Sequence, residues 1–192
     1  VSGKGLDLDS CLVTAEALHG DVCAGIAIGT RMTIAGLKAI GIDDPIGKDH
    51  KKLMVFVEID RCATDAIMAI TGCRPGKRTM KIYDHGKMAA TFLNLETGRA
   101  VRLTVKERDE GQGGTAPGPY LALPEEELLA IEHVRVDVPP EDMPGKPIGV
   151  VRCAACGERV MDMREEVVDG KVLCRPCARG RTFYSPIERS KA

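Results

Sequence analysis

Cys153-Ala154-Ala155-Cys156 and Cys174-Arg175-Pro176-Cys177 are two CxxC pairs with seventeen residues between them. No other feature limits so tightly what this chain can fold into. Two thiols three positions apart on a tight turn grip one cation from the same side, and a second such turn, delivered by a hairpin, completes a tetrahedron. The intervening sequence supplies the hairpin: extended runs at 159–163 and 166–168, Asp169-Gly170 as the turn, and 171–173 leading into the second pair. Gly157 allows the positive φ that a metal knuckle needs. Cys153, Cys156, Cys174 and Cys177 therefore read as a closed structural site for zinc, with iron the rival for the same ligands. Reduced thiols without metal, or two disulfides, are the alternatives. Eight cysteines behind a polar start favour metal over disulfides and imply a reducing cytoplasm.

The rest of the composition mostly excludes. A formal net charge of −1 implies no general attraction to nucleic acid or to a membrane surface. Three Phe, three Tyr and no Trp leave little for a base-stacking platform, so the core must come from Ile, Leu, Val, Met and Ala. Arg31 and Lys38 interrupt the longest apolar helix, which rules it out as a membrane span.

The pattern predicts a short helix over 10–18, a polar His19-Gly20-Asp21-Val22 loop, and a longer helix from Cys23 to Ile40 with Gly41 as its C-cap. That helix is rich in Gly and Ala. Each internal glycine costs about 1 kcal/mol of helix propensity, and close packing against another backbone is the expected compensation. A buried strand over 53–59 leads through Asp60-Arg61-Cys62 into a helix over 63–71, stopped by Gly72. Strands follow at 78–83, 87–95 and 99–106, the last two joined around Glu96-Thr97-Gly98. Residues 109–119 hold four Gly and two Pro and read as a mobile loop; Pro124 and three acids open a helix, and 133–138 reads as a strand. Helices and antiparallel strands mix without a βα repeat, which predicts an α+β core over 1–138, a proline-rich linker over 139–149 and the Cys₄ module over 150–192.

Cys11, Cys23, Cys62 and Cys73 lie outside that module. Cys23 and Cys62 each stand at the predicted start of a helix, where unsatisfied N–H groups favour thiolate. His19 is four residues before Cys23, and Asp65 is three after Cys62, on the same helical face. Together they give a His/Cys/Cys set with a carboxylate nearby, and three ligands with an open position suit a catalytic or exchangeable metal. The bland alternative is two cysteines buried as small hydrophobes.

The run His19-Gly20-Asp21-Val22-Cys23-Ala24-Gly25, with Gly29 and Arg31 beyond it, resembles the His-Gly-His-x-Cys-Pro-Gly…Gly-x-Arg signature of the FmdE family of formylmethanofuran dehydrogenase proteins. So do Asp60-Arg61-Cys62-Ala63-Thr64-Asp65-Ala66-Ile67, then Thr71-Gly72-Cys73-Arg74-Pro75-Gly76-Lys77, then Tyr83-Asp84-His85-Gly86-Lys87. The resemblance covers about residues 10–138, and some members are similar in carrying a treble-clef-like zinc finger behind the core. It implies an α+β homodimer, a metal pocket near the His/Cys loop, and a link to the molybdenum or tungsten enzyme that reduces carbon dioxide onto methanofuran. Two departures stand out: Asp21 replaces the family's second histidine, and Ala24 its proline. On this resemblance His19, Cys23 and Cys62 are the ligands of a second metal ion, zinc by preference. Asp21 is either a fourth ligand or a group orienting His19. Asp65 is a supporting carboxylate, Cys73 is buried, and Lys77, Lys87, His85, His50 and His133 are exposed.

Three functions remain open at this level. One is a metal-binding accessory of a molybdenum or tungsten oxidoreductase. The second is a stand-alone metal-dependent enzyme with Cys23, Cys62 and Asp65 as catalytic candidates. The third is an interaction module using its zinc finger, where Arg175, Arg179, Arg181 and Arg189 are offset by Asp162, Glu165, Glu166 and Asp169.

Overall fold

A computed structural model describes residues 6–106, 114–180 and 182–185. They fall into two compact units, Val1–Asp137 and Val138–Ala192. The first opens with helix α1 (Leu8–His19), whose N-cap Asp7 accepts the Ser10 N–H at 2.9 Å. Gly20, left-handed at φ 106°, ends it. Helix α2 (Ala24–Ile40) starts at an extended Cys23 and stops at a left-handed Gly41. Strand β1 (Leu53–Val57) then feeds helix α3 (Cys62–Thr71), capped by Gly72.

Strands β2 (Met80–Ile82), β3 (Ala89–Asn94), β4 (Ala100–Val105) and β5 (Leu129–Val134) join β1 in one sheet of order β2-β1-β3-β4-β5. Only the β1–β2 pair is parallel, so the unit is α+β with a largely antiparallel sheet, as expected. Val55, Phe92 and Val101 are cross-strand partners or neighbours on one face, and they join Met32, Leu37 and Ile40 of α2 in the core. Phe92 is fully buried against Gly36, where an added Cβ would stand 2.5 Å from the ring. Burying such a side chain contributes roughly 2–3 kcal/mol.

Several boundaries depart from the sequence reading. The last strand of the core begins at Leu129, four residues before the expected 133, because Leu128 and Leu129 are buried and carry the chain straight into pairing with β4. The helix opened by Pro124 is consequently a single turn, α5 (Glu125–Leu128). Part of the expected mobile loop, 109–113, lies outside the described residues. Its end is ordered differently from the expectation, as helix α4 (Gly118–Ala122).

The second unit contains a 3-10 turn at Pro140–Asp142, a ribbon of β6 (Val150–Arg152) and β7 (Arg159–Met161), and a hairpin of β8 (Glu165–Val168) and β9 (Lys171–Cys174). Asp169 and Gly170 both have positive φ, 48° and 74°, which is the twist a two-residue hairpin needs. Helix α6 (Arg175–Arg179) begins before Cys177 rather than after it, since Pro176 fits the first turn of a helix. Arg164 pairs with Asp142, and Arg179 with Glu166 at 2.6 Å. Among the described residues no helix is long and apolar enough to cross a membrane.

Candidate metal centre

The Cys₄ cluster is built by two knuckles. In the first, the Cys153 N–H bonds the Glu158 carbonyl and the Gly157 N–H returns to the Cys153 carbonyl, with Gly157 at φ 76°. In the second, Cys174 is the N-cap of α6 and Cys177 lies in its first turn. The ligand atoms of Cys153, Cys156, Cys174 and Cys177 all lie within 4.8 Å of one another, and the Cys156 and Cys174 sulfurs are 3.8 Å apart. Tetrahedral zinc with ordinary Zn–S bonds separates its sulfurs by about 3.8 Å. Backbone N–H groups of Cys156 and Cys174 hold the Cys153 thiol down to about 6, whereas the neighbouring Cys174 and Cys153 thiols push Cys177 up to about 12. Four crowded sulfurs cannot all ionise without a cation to neutralise them, so the donor set fits structural zinc.

The second cluster is assembled by three element ends. α1 ends on His19, the left-handed Gly20 turns the chain, and Cys23 is the N-cap of α2. The β1–α3 connection places Cys62 as the first residue of α3. Two missing side chains let α3 come close. A Cβ on Gly25 would lie 2.8 Å from the Cys62 Cβ, and one on Gly29 would lie 2.6 Å from the Ala63 carbonyl oxygen. This close approach is the compensation expected for glycines inside a helix. As a result the ligand atoms of His19, Cys23 and Cys62 lie within 4.8 Å of one another, all half-buried.

Asp65 completes the arrangement from one helical turn along α3. His19 Nδ1 donates to its Oδ2 at 2.8 Å, which fixes the ring and leaves Nε2 for a ligand role. That bond is also the main reason the His19 pKa is raised. Burial disfavours a Cys23 thiolate, but the Ile26 N–H, the Cys62 thiol and the Gly25 N–H outweigh it and hold the thiol below its ordinary value. Cys62 is raised, by burial and then by Cys23. The pair thus favours one thiolate beside one thiol, and a divalent cation would release the remaining protons. Asp21 stands at the rim, its Oδ1 3.7 Å from His19 Nε2.

Two contacts were not evident from sequence. The Ala24 N–H, an unsatisfied donor at the start of α2, bonds the Thr115 carbonyl at 3.1 Å. Arg31 donates to the carbonyls of Tyr120, at 2.8 Å, and Leu123. Together they lay the 114–123 segment along α2; the Gly-x-Arg pattern was the available signal, without its target. Cys73 is buried, its sulfur 3.8 Å from the Leu53 carbonyl, and Cys11 is buried as well. Lys77, Lys87, His50, His85 and His133 are exposed and stand apart from the cluster.

Comparison with known proteins accords with this architecture. Residues 146–183 match the prokaryotic dksA/traR C4-type zinc finger family. A "Probable S-adenosyl-L-methionine-binding protein" of Archaeoglobus fulgidus is 29% identical over 95% of this chain but 56% of its own length, so the chain spans little more than half of that relative. The crystal structure of an FmdE-like protein of the tungsten formylmethanofuran dehydrogenase type, from Syntrophus aciditrophicus, superposes with a TM-score of 0.58 at 21% identity, covering 92% of this chain and 95% of that one. It shares the fold. Residues 18–128, more than half of the chain and inclusive of His19, Cys23, Cys62 and Asp65, match the family described as "FmdE, Molybdenum formylmethanofuran dehydrogenase operon", and the chain belongs to the FmdE family.

Proposed function

We propose that this protein is a metal-binding accessory protein that works beside a molybdenum or tungsten oxidoreductase of one-carbon metabolism, and that His19, Cys23 and Cys62 hold its functional metal, zinc by donor preference. The observation that carries the reading is the convergence of those three donors at the junction of α1, α2 and α3, with Asp65 orienting the histidine. Two sulfurs and one imidazole nitrogen suit zinc among the divalent ions. When bound, it would supply Lewis acidity at a partly exposed position. The chain's own residues orient the imidazole, stabilise thiolate at two helix N-termini and limit water access by burial. Membership of the FmdE family supports the accessory role over a stand-alone enzyme or a nucleic-acid module. The ribbon, hairpin and helix order of the tail supports a treble-clef zinc finger, and the family resemblance supports a cytoplasmic homodimer and a place in methanogenesis-type carbon dioxide reduction.

The test is gel filtration of the purified protein with a molybdenum or tungsten formylmethanofuran dehydrogenase core. Co-elution that a Cys23→Ala/Cys62→Ala variant loses is expected. Separate elution of the wild-type chain would overturn the accessory role. A second reading, S-adenosylmethionine binding, takes its support from the name of the Archaeoglobus relative and from a cleft of about 410 Å³ lined by Thr14, Ala17, Leu18, Met68, Ala69 and Arg74. Calorimetric titration with S-adenosylmethionine distinguishes it, and an Arg74→Ala change should weaken any binding in that cleft.

A further inference from the structure

We infer that Asp21 is the exchangeable fourth donor of the His19/Cys23/Cys62 centre, a carboxylate that closes the last coordination position in one rotamer and opens it in another. This deepens the reading above and rests on it. Three donors leave one corner of a tetrahedron, and the His-Gly-Asp turn brings a carboxylate to that corner. Gly20 at φ 106° reverses the chain immediately after α1, so the side chains of residues 19 and 21 return to the same side. Asp65 occupies Nδ1 of His19, so Nε2 is the nitrogen left to face the other donors, and Nε2 is the atom beside which Asp21 stands, at 3.7 Å.

Confinement separates Asp21 from the other donors. The His19 side chain is 21% exposed and the two cysteines are half-buried, whereas the Asp21 side chain is 73% exposed and lies outside the group of mutually close ligand atoms. The three inner donors are packed in place. Asp21 has free rotamers, and its oxygen is the hardest donor in an otherwise soft set. It is therefore the ligand that leaves first when another donor arrives. Two thiolates already neutralise a divalent ion, so a bound carboxylate adds a negative charge. The N-termini of α2 and α3, which meet at the site, offset that charge.

The experiment uses the full chain with zinc in the Cys₄ cluster and cobalt(II) added to the N-terminal site. Asp21→Ala, Asp21→Asn and Asp21→His variants are compared with wild type by visible spectrum and by the rate of cobalt loss to a chelator. Expected are d–d bands that move with the donor at position 21. Cobalt loss should be about tenfold or more faster in Asp21→Ala and slower in Asp21→His, the change to a softer nitrogen. Identical spectra and rates across the series would overturn the inference while leaving the three-donor site intact. A wild-type spectrum that Cys23→Ala/Cys62→Ala leaves unchanged would overturn the metal reading itself, and this inference with it.

Discussion

Gly25 and Gly29 determine how near α3 can come to α2, and with it the distance from Cys62 to Cys23. A Cβ on Gly29 meets backbone, the carbonyl oxygen and Cα of Ala63, which cannot move cheaply. The helix propensity gained by alanine is about 1 kcal/mol, and overpacking costs about 1–3 kcal/mol, so steric strain wins. Gly29→Ala is predicted to lower unfolding free energy in urea by about 1–2 kcal/mol. Gly76→Ala, where a Cβ meets nothing within 4 Å, should leave stability unchanged or slightly higher. At this scale much was legible. The placement of Cys23 and Cys62 at helix starts follows from local punctuation, and so does Asp65 one turn beyond Cys62. The hydrogen bond from His19 to Asp65 was not legible, because it spans 46 residues and depends on how three helices pack.

Glu58, just past β1, forms a two-pronged ion pair with Arg102 of β4 across β3, at 2.6 and 2.9 Å. The Arg102 hydrogen bond holds the Glu58 carboxyl below its ordinary value of 4.5, against the opposing effect of burial. A depressed folded pKa gives stability that is fully present above that ordinary value and is lost as pH falls through the folded one. Glu58→Gln should therefore cost about 1–2 kcal/mol at pH 7, and its gap from wild type should close as urea melts are repeated toward about pH 3. The strands that form this frame are recognisable by alternation and turn residues. β5 starts earlier than the pattern predicts because the apolar run Leu128-Leu129-Ala130-Ile131 fits a helix or a buried strand equally well, and only pairing with β4 decides between them. In the tail, the hairpin and the Gly157 knuckle were legible because cysteine spacing leaves few geometries. The Arg175–Arg179 helix starts earlier than expected because Cys174 caps it, and cysteine is not among the residues that signal a helix start.

At the scale of the whole molecule, two compact units carry two different cysteine clusters, and they should respond separately to metal removal. Four closed ligands make the tail's fold depend on its ion. Strong chelation should abolish hydrogen-exchange protection in β8 and β9 while leaving protection in β3 and β4, which rests on an apolar core. Retained protection in the hairpin after complete metal loss would contradict that dependence. The central claim is that the FmdE-like unit holds its own metal through His19, Cys23 and Cys62. Elemental analysis of anaerobically purified protein, beside a folded Cys23→Ala/Cys62→Ala variant, tests it most directly. Two metal ions per chain are expected, falling to one in the variant. One zinc per chain in both would contradict the claim and confine metal to the Cys₄ cluster.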